Sequence, residues 1–503
     1  MSDFEYSADS EGADIFFQHR RIQGDDVYLV SNQRRRSEQV VCSFRVTEGR
    51  PELWDAEHGG RNGAPFCKVE GGRTQLRLGL EPSASIFVIF RRNLVRHSEV
   101  SVLRDGKLLA NSEMIRSPRV SDGDLIDSFC LSIWAQPETY AMSNTGFLAI
   151  PEEGTAVYGA GHCIAGIAAG QNGVRVYEQI SGPARVVLQS EQPISGWTHI
   201  AVEYRSRQPH LYINGVEVAS GETSDFTVHP ARDCKSSGEP PRYFEGNMLP
   251  PELTGVLSSE ELRRIALAGP PAPELPHGLS LDRTLKGQLL ATAWTPGTYQ
   301  LLEGAQKRTL RVDAAFSTAV LDGPWELRLP AYAGAPRTIA LPTLIALNQH
   351  VDFDVQHFSG TVTYSTTFNV EAKQLEKNRR LFLDLGRVDV VGRVRVNGQL
   401  AGTLWKPPYR LPVTDFVRVG ENRLEVDVTT LWPNRLIGDE SLPPENEYDS
   451  HGPIKQLPAW YSAGEPKPGQ RATFSCWHHY GRQDPLLQSG LSGPVRLLQA
   501  IVL

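Results

Sequence analysis

Hydrophobic and polar positions alternate with a period of two along most of the chain. Leu76, Leu78 and Leu80 alternate in TQLRLGL, and Ile86, Val88 and Phe90 in SIFVIF. Val362, Tyr364, Thr366 and Phe368 do so in TVTYSTTF, and Leu424, Val426 and Val428 in NRLEVDV. Successive side chains of a strand point to opposite faces, so each run predicts a strand with one face on a core. Asn214-Gly215 in LYINGVEV and Asn397-Gly398 in VRVNGQLAG lie between such runs. Asn-Gly accepts the positive φ needed at both central positions of a type I′ turn, so both predict hairpins.

Helix signals are scarce. In SSEELRRIALAG, Ser258 and Glu261 have capping-box spacing, and Leu262, Ile265 and Ala266 form one apolar face. EAKQLEKNRR, residues 371–380, is a second candidate, short and mostly polar. A (β/α)8 barrel or a doubly wound sheet needs many more helices. The predicted class is all-β, with several β-sandwich or jelly-roll domains in series. The breakers, with the Pro-rich GPPAPELP as the strongest, predict units at about 12–118, 119–270, 271–320 and from Gly323 to the C-terminus.

The chain has 503 residues and a net charge of -7 with its charges spread along it, and Arg34–Arg36 reads as a solvated loop, which argues against nucleic-acid partners. No apolar run reaches the length of a membrane helix, so no membrane partner is expected. The start, MSDFEYSADSEGADIFF, lacks the basic and apolar regions of a secretory signal. Cys42, Cys67, Cys130, Cys163, Cys234 and Cys476 are scattered, without zinc spacing, and read as reduced thiols, with one or two disulfides as the alternative. DGDLID, Asp122 to Asp127, superficially suggests calcium but lacks the remaining ligand positions of an EF-hand loop, so no cofactor is predicted.

Several passages resemble the family 106 glycoside hydrolases, which are α-L-rhamnosidases. They are HRRIQGDDVYLVSN, FRVTEGRPELWDAEHGG, SIFVIF, GPWELRLP, FSGTVTYSTTF, the stretch from LDLGRVDVVGRV to LWPNRLIGDESLP, and LQSGLSGPVRL, in that order. From about residue 323 the chain also resembles the galactose-binding-like jelly roll of family 2 glycosidases. FCLSIWAQPET, GWTHIAVEYRSRQPHLYINGVEVASG and the predicted helix are similar to a laminin-G or concanavalin A-like domain, and the resemblance implies that this domain, 119–270, is inserted into one discontinuous β unit, 1–118 with 271–322, followed by 323–503. The resemblance implies a catalytic barrel preceding the HRR segment. This sequence begins almost at that segment, so the barrel and its acids are expected to be absent, and no catalytic residue is carried over. Such enzymes act in the periplasm or outside the cell, and the missing signal fits a fragment or a split-gene product.

Sugars stack on aromatic rings while polar neighbours bond their hydroxyls. LWKPPYR and LWPNRLIGD offer that mixture in Trp405, Tyr409, Arg410, Trp432, Asn434, Arg435 and Asp439. The same residues also suit packing, and Arg435 is spaced to pair with Asp439. Asp439, Glu440, Glu445 and Glu447 cluster, and Asp384 and Asp389 flank LDLGRVD, but loop acids and hairpin ends explain them without catalysis. In FSCWHHYGRQD, Trp477, His478, His479 and Tyr480 read as local packing, since adjacent histidines on a strand face opposite ways. Trp134 and Trp197 are expected in the lectin-like core, with ligands at Tyr140–Thr145 or Gly159–His162. PELWD reads as a turn in which Asp55 caps and Trp54 packs.

These readings predict the non-catalytic, carbohydrate-binding and scaffolding portion of a rhamnosidase-like enzyme. Its partners would be a rhamnose-containing polysaccharide and a separate barrel polypeptide. A stand-alone carbohydrate-binding protein and a hydrolase with an active site between sandwiches, with Asp439 as its best candidate, are the alternatives.

Overall fold

A computed structural model describes residues 2–502 except 9–12, 35–36, 58, 92–99, 112–124, 138–145, 171, 232–243, 245, 250, 270–278, 286–287, 305, 313–317 and 331–336. Tyr140–Thr145, Cys234 and the first three residues of the Asp122–Asp127 run therefore lie outside the described residues. The chain forms two compact units. The first is Met1–Ser317 with Lys377–Arg380 and Gln499–Leu503, and the second is Thr318–Glu376 with Leu381–Leu498.

In the first unit, Phe4–Ala8, Glu38–Phe44, Arg73–Leu80 and Lys68–Glu70 form an antiparallel sheet in that order. Ile15–Ile22, Asp25–Asn32, Ser85–Arg91, Arg50–Asp55 and Arg61–Gly63 form part of another. The inward members of the alternating runs meet between them, among them Tyr28, Val40, Phe44, Leu76, Leu78, Val88 and Phe90. Each such side chain contributes roughly 1.5–3 kcal/mol by leaving water. Pro51–Asp55 is not a turn, as expected from its composition, but part of a strand paired with Ser85–Arg91. The strand position holds Trp54 beside two guanidinium groups, 4.1 Å from Arg61 and 5.6 Å from Arg91. Asp55 does start the following turn, its Oδ1 accepting the Glu57 N–H at 2.7 Å.

The insertion is visible in the strand pairing. Val100–Arg104 pairs with Gly297–Glu303, Val100 facing Glu303, and the strands and helix of the lectin-like part, from Phe129 to Ala268, lie between them in sequence. One of its sheets runs Val216–Ser220, Gln208–Ile213, Thr198–Arg205, Phe129–Pro137, then Gly246–Met248. The other runs Gly146–Ala149, His162–Gly170, Gly173–Gln179, Arg185–Ser190. Phe129–Pro137 is buried along its whole length. Phe129, Leu131 and Ile133 face the core between the sheets, while Cys130 packs with Ala201, Tyr212 and Leu262 of the helix Ser259–Ala268. Cover on both faces explains why FCLSIWAQP is apolar without interruption. The helix begins with the expected capping box between Ser258 and Glu261. Trp134 is buried, but Trp197 precedes the strand Thr198–Arg205 and is only half-buried.

The second unit is a jelly-roll-like sandwich. Its main sheet runs Arg337–Leu341, Trp325–Leu329, Thr361–Val370, Gly420–Thr429, Val391–Val396, Gln399–Leu404. Shorter pairs complete it: Arg379–Asp384 with Arg410–Pro412, Arg387–Asp389 with Gly490–Gly493, and Ala319–Val320 with Arg496–Val502. Trp325, Val362, Tyr364, Leu383, Val394, Leu424, Val426 and Val428 share the core. Asn397 and Gly398 take φ of 52° and 79° and close the expected hairpin. The 371–380 segment is not an α-helix. It makes a 3-10 turn, Ala372–Leu375, before the strand Arg379–Asp384, because its one apolar anchor, Leu375, cannot form a helical stripe.

Candidate functional site

After the strand Gly420–Thr429 the chain enters a seven-residue helix, Pro433–Asp439, and reaches the next strand only at Gly490–Gly493. Between them lies one helical turn, Ala459–Ala463. Irregular connections of this length in compact domains commonly carry function. Polar side chains hold this one in place. Asn434 Nδ2 donates to the Leu487 carbonyl and Asn434 Oδ1 accepts the Leu487 N–H, both at 2.8 Å. Asp439 accepts from Arg435 through Oδ1, with Nη2 at 2.8 Å, and from Thr473 through Oδ2. Arg471 donates to the carbonyls of Pro443 and Leu442 and to Glu440 Oε1 at 2.6 Å. Burial opposes the charge on Glu445, but its bond from Lys467 and the Arg471 N–H outweigh it and hold the carboxyl below its usual range.

The pinned segment borders a shallow surface cleft with an inner volume of only about 20 Å³, lined by Leu436, Glu440, Tyr448, Trp477, His478 and His479 among others. Trp477 keeps 40% of its surface exposed beside Gly452, whose φ of +103° leaves no room for a side chain against the indole. Among the described residues Glu440 is the one carboxylate in the lining, and its Oε2 lies 3.3 Å from His478 Nε2. The Tyr448 hydroxyl donates to the Ser475 carbonyl at 2.9 Å, and burial raises its pKa. Residues 476–480 do not form a strand, apart from a single bridge between Trp477 and Pro453. The alternation argument therefore fails there, and both histidines reach the same cleft. An exposed aromatic face with a carboxylate and imidazoles at its edge can stack a sugar ring and bond its hydroxyls.

The residues expected from the sequence divide into two groups. Arg410 donates to Asp384 Oδ2 through Nε and Nη2, at 3.0 and 2.6 Å. Asn434, Arg435 and Asp439 are all buried and hydrogen-bonded within the fold, the last two to each other as their spacing predicts. The Tyr409 ring packs on the core, its hydroxyl 3.5 Å from the Val390 carbonyl, and burial raises its pKa. Trp405 and Trp432 are the exposed members, each with about half its surface open. Glu440, Tyr448 and Trp477 come together although 37 residues separate the first from the last. No periodicity joins them, and the signal available was the density of aromatic and imidazole side chains in FSCWHHYGRQD.

In the lectin-like part, His162 Nδ1 lies 2.9 Å from His229 Nε2, and Tyr158 stacks on His229 with centroids 3.7 Å apart. Five of the six cysteines are described, and all five are free thiols. Burial pushes those of Cys42, Cys130 and Cys163 up to about 12, far from a reactive thiolate.

Three family models match the chain. The glycoside hydrolase 106 model, described as alpha-L-rhamnosidase, matches residues 1–67. A model of the concanavalin A-like lectin/glucanases superfamily matches 110–248. The glycosyl hydrolase 2 galactose-binding domain-like model matches 346–456. A protein of Formosa agariphila named putative beta-glucuronidase is 30% identical, over 99% of this chain and 44% of its own length. The chain thus spans less than half of that curated relative. The structure of a rhamnosidase from Novosphingobium sp. PP1Y is 21% identical with a TM-score of 0.46, over 99% of this chain and 25% of that one. A β-D-glucuronidase structure from Dictyoglomus thermophilum is 24% identical with a TM-score of 0.20, over 24% of this chain and 20% of that one. This chain combines stretches like those of rhamnosidases, laminin G-like lectins and the galactose-binding domain of family 2 glycosidases, in an all-β architecture.

Proposed function

We propose that these glycosidase-associated sandwiches form the carbohydrate-binding and scaffolding portion of an α-L-rhamnosidase-like glycoside hydrolase, without hydrolytic chemistry of their own. The observation that carries the proposal is the cleft of the second unit, where an exposed Trp477 stands beside one carboxylate, Glu440. Glycoside hydrolysis ordinarily uses two carboxyl groups, about 5–9.5 Å apart across the bond. Among the described residues Glu440 has no such partner in the cleft lining, and Asp439 next to it is turned inward onto Arg435 and Thr473. A stacking platform with one acceptor group suits retention of a sugar rather than cleavage. The ligand would be a rhamnose-containing polysaccharide, and the catalytic partner a barrel acting on the same chain of sugar. Trp405 and Trp432 are proposed as further aromatic contacts along it.

The test is to assay the purified chain on aryl α-L-rhamnosides and aryl β-D-glucuronides, and to measure retardation of the same protein in gels containing rhamnose-rich polysaccharide. Retardation without turnover is expected. Turnover that survives repurification and disappears in Glu440→Gln would overturn the proposal.

A further inference from the structure

We infer that the sugar site continues past the cleft onto a second aromatic platform, Tyr461 backed by Phe474 and Trp460, and takes an internal run of several sugar rings rather than one terminal sugar; this rests on the carbohydrate-binding reading above. The cleft beside Trp477 has an inner volume of only about 20 Å³, room for about one water. A hollow that shallow cannot enclose a sugar ring, whereas sites for small ligands bury most of the ligand's surface. Affinity must then be gathered along a longer ligand lying on the surface, through contacts tied together by one chain.

The same connection supplies the rest of that surface. Trp460 and Tyr461 belong to the helical turn Ala459–Ala463. The Phe474 centroid lies 5.2 Å from each of their rings, tilted 30° to Tyr461 and edge-on to Trp460 at 79°. Phe474 thus backs Tyr461, which keeps 53% of its surface exposed. Trp460 Nε1 and Tyr461 Oη have no hydrogen-bond partner among the described residues, so both are available to sugar hydroxyls. An open aromatic cluster with free polar tips suits a ligand that offers C–H faces and hydroxyls together, and an apolar partner would leave those tips unpaired.

The chain also fixes the spacing of the two platforms. Phe474 and Trp477 are three residues apart, at most about 10 Å of extended backbone. Both ends of that span are anchored. Thr473 bonds to Asp439, and Ser475 Oγ accepts the Trp477 N–H at 3.2 Å and donates to the Trp477 carbonyl at 2.7 Å. Two rings held this close before binding can take neighbouring parts of one polysaccharide chain without a cost of ordering the site.

The experiment is a calorimetric titration of the full chain with a monosaccharide, disaccharide, tetrasaccharide and hexasaccharide cut from one rhamnose-rich polysaccharide. Tyr461→Ala and Tyr461→Phe accompany the wild type, each checked by thermal melting. Affinity is expected to rise by about tenfold or more from disaccharide to hexasaccharide. Tyr461→Ala is expected to lose about tenfold for the hexasaccharide and little for the disaccharide, while Tyr461→Phe, which keeps the ring, retains most of the gain. A second measurement needs no variant: iodination of Tyr461 in the wild type, read by mass spectrometry, should be slowed by the hexasaccharide and not by the disaccharide. Affinity that does not grow with length, or a gain that survives in Tyr461→Ala with iodination unaffected, would overturn the second platform and leave the carbohydrate-binding reading standing. Tyr461 already protected without sugar, in a chain that sediments as a dimer, would assign the platform to a second copy and overturn the inference. Binding of none of the probes would overturn both readings.

Discussion

Thr473 donates both its backbone N–H and its hydroxyl to Asp439 Oδ2, each at 2.7 Å. The pairing ties the end of the helix Pro433–Asp439 to the far side of the long connection. The other oxygen of Asp439 receives Arg435, which is itself buried. Asp439 is therefore a structural keystone of the second unit. Asp439→Ala leaves a buried guanidinium without its counter-charge, a loss of about 3–5 kcal/mol. Urea unfolding should show that loss. A catalytic aspartate would instead lose rate at unchanged stability.

Asn434 makes a second clasp, giving and taking one hydrogen bond at Leu487 as a neighbouring strand would. Asn434→Leu keeps the volume and removes both of these bonds and a third to Ser489 Oγ, at a cost of about 2 kcal/mol. The effect should be local. Limited proteolysis is expected to cut within 440–489 faster than in the wild type while the sheet core stays intact, and uniform acceleration across the chain would count against this reading.

The strands were legible because one residue pattern sets one face. Val362, Tyr364, Thr366 and Phe368 are all buried in Thr361–Val370, as their alternation requires. The Arg435–Asp439 pair was legible from its helical spacing. Trp54 was not, because its strand position is stabilised by Arg61 and Arg91, contacts made through tertiary structure. The cleft was not legible either. Glu440 meets His478 through a connection with almost no regular structure, and neither a period of two nor one of 3.6 carries information across it. The sugar candidates drawn from composition were a mixture: Trp405 and Trp432 are open to solvent, whereas Asn434 and Arg435 hold the scaffold.

Asp389 makes stability depend on pH. It pairs with Gly490 at the end of the long connection, and burial raises its carboxyl to about 7, with Arg387 pulling the other way. Its Oδ2 is sealed from water without a hydrogen-bond partner, near the buried Tyr364 and Tyr409 rings. Between about pH 4 and pH 7 the unfolded chain releases a proton that the folded chain keeps, so stability falls as pH rises through that window and levels off above it. Asp389→Asn should remove that slope. The variant is expected to be more stable than the wild type at pH 8 by on the order of 2 kcal/mol, and no more stable at pH 4. Parallel unfolding curves at the two pH values would refute the assignment.

In the lectin-like part, the Ser258 hydroxyl accepts the Glu261 N–H at 3.2 Å, and Glu261 accepts the Ser258 N–H at 2.8 Å. The helix they start places Leu262 over Cys130, Ala201 and Tyr212. Ser258→Ala should cost about 1 kcal/mol. Because the cap only begins the helix and Leu262 holds it, the helical signal should persist below the transition. A loss of helix at 25 °C would mean that the cap, not the packing, maintains it.

Gly452 offers a way to close the cleft without touching a polar group. Its φ of +103° disfavours any side chain, and a Cβ there would stand 2.6 Å from Trp477 Nε1. Gly452 also accepts the His478 N–H through its carbonyl at 2.9 Å, so the strain falls on the segment that carries both ring residues. Gly464, in the same connection, has φ of +66° and open space around it. Gly464→Ala therefore bears only the backbone cost of about 1–2 kcal/mol, whereas Gly452→Ala bears that cost and displaces the indole. Gly452→Ala should lose more stability than Gly464→Ala, and only Gly452→Ala should shift tryptophan fluorescence and lose about tenfold in sugar affinity. If both bind as the wild type does, the ring is not where sugar rests. If both lose binding equally, the connection acts through its overall rigidity, and Trp477 has no special part in recognition.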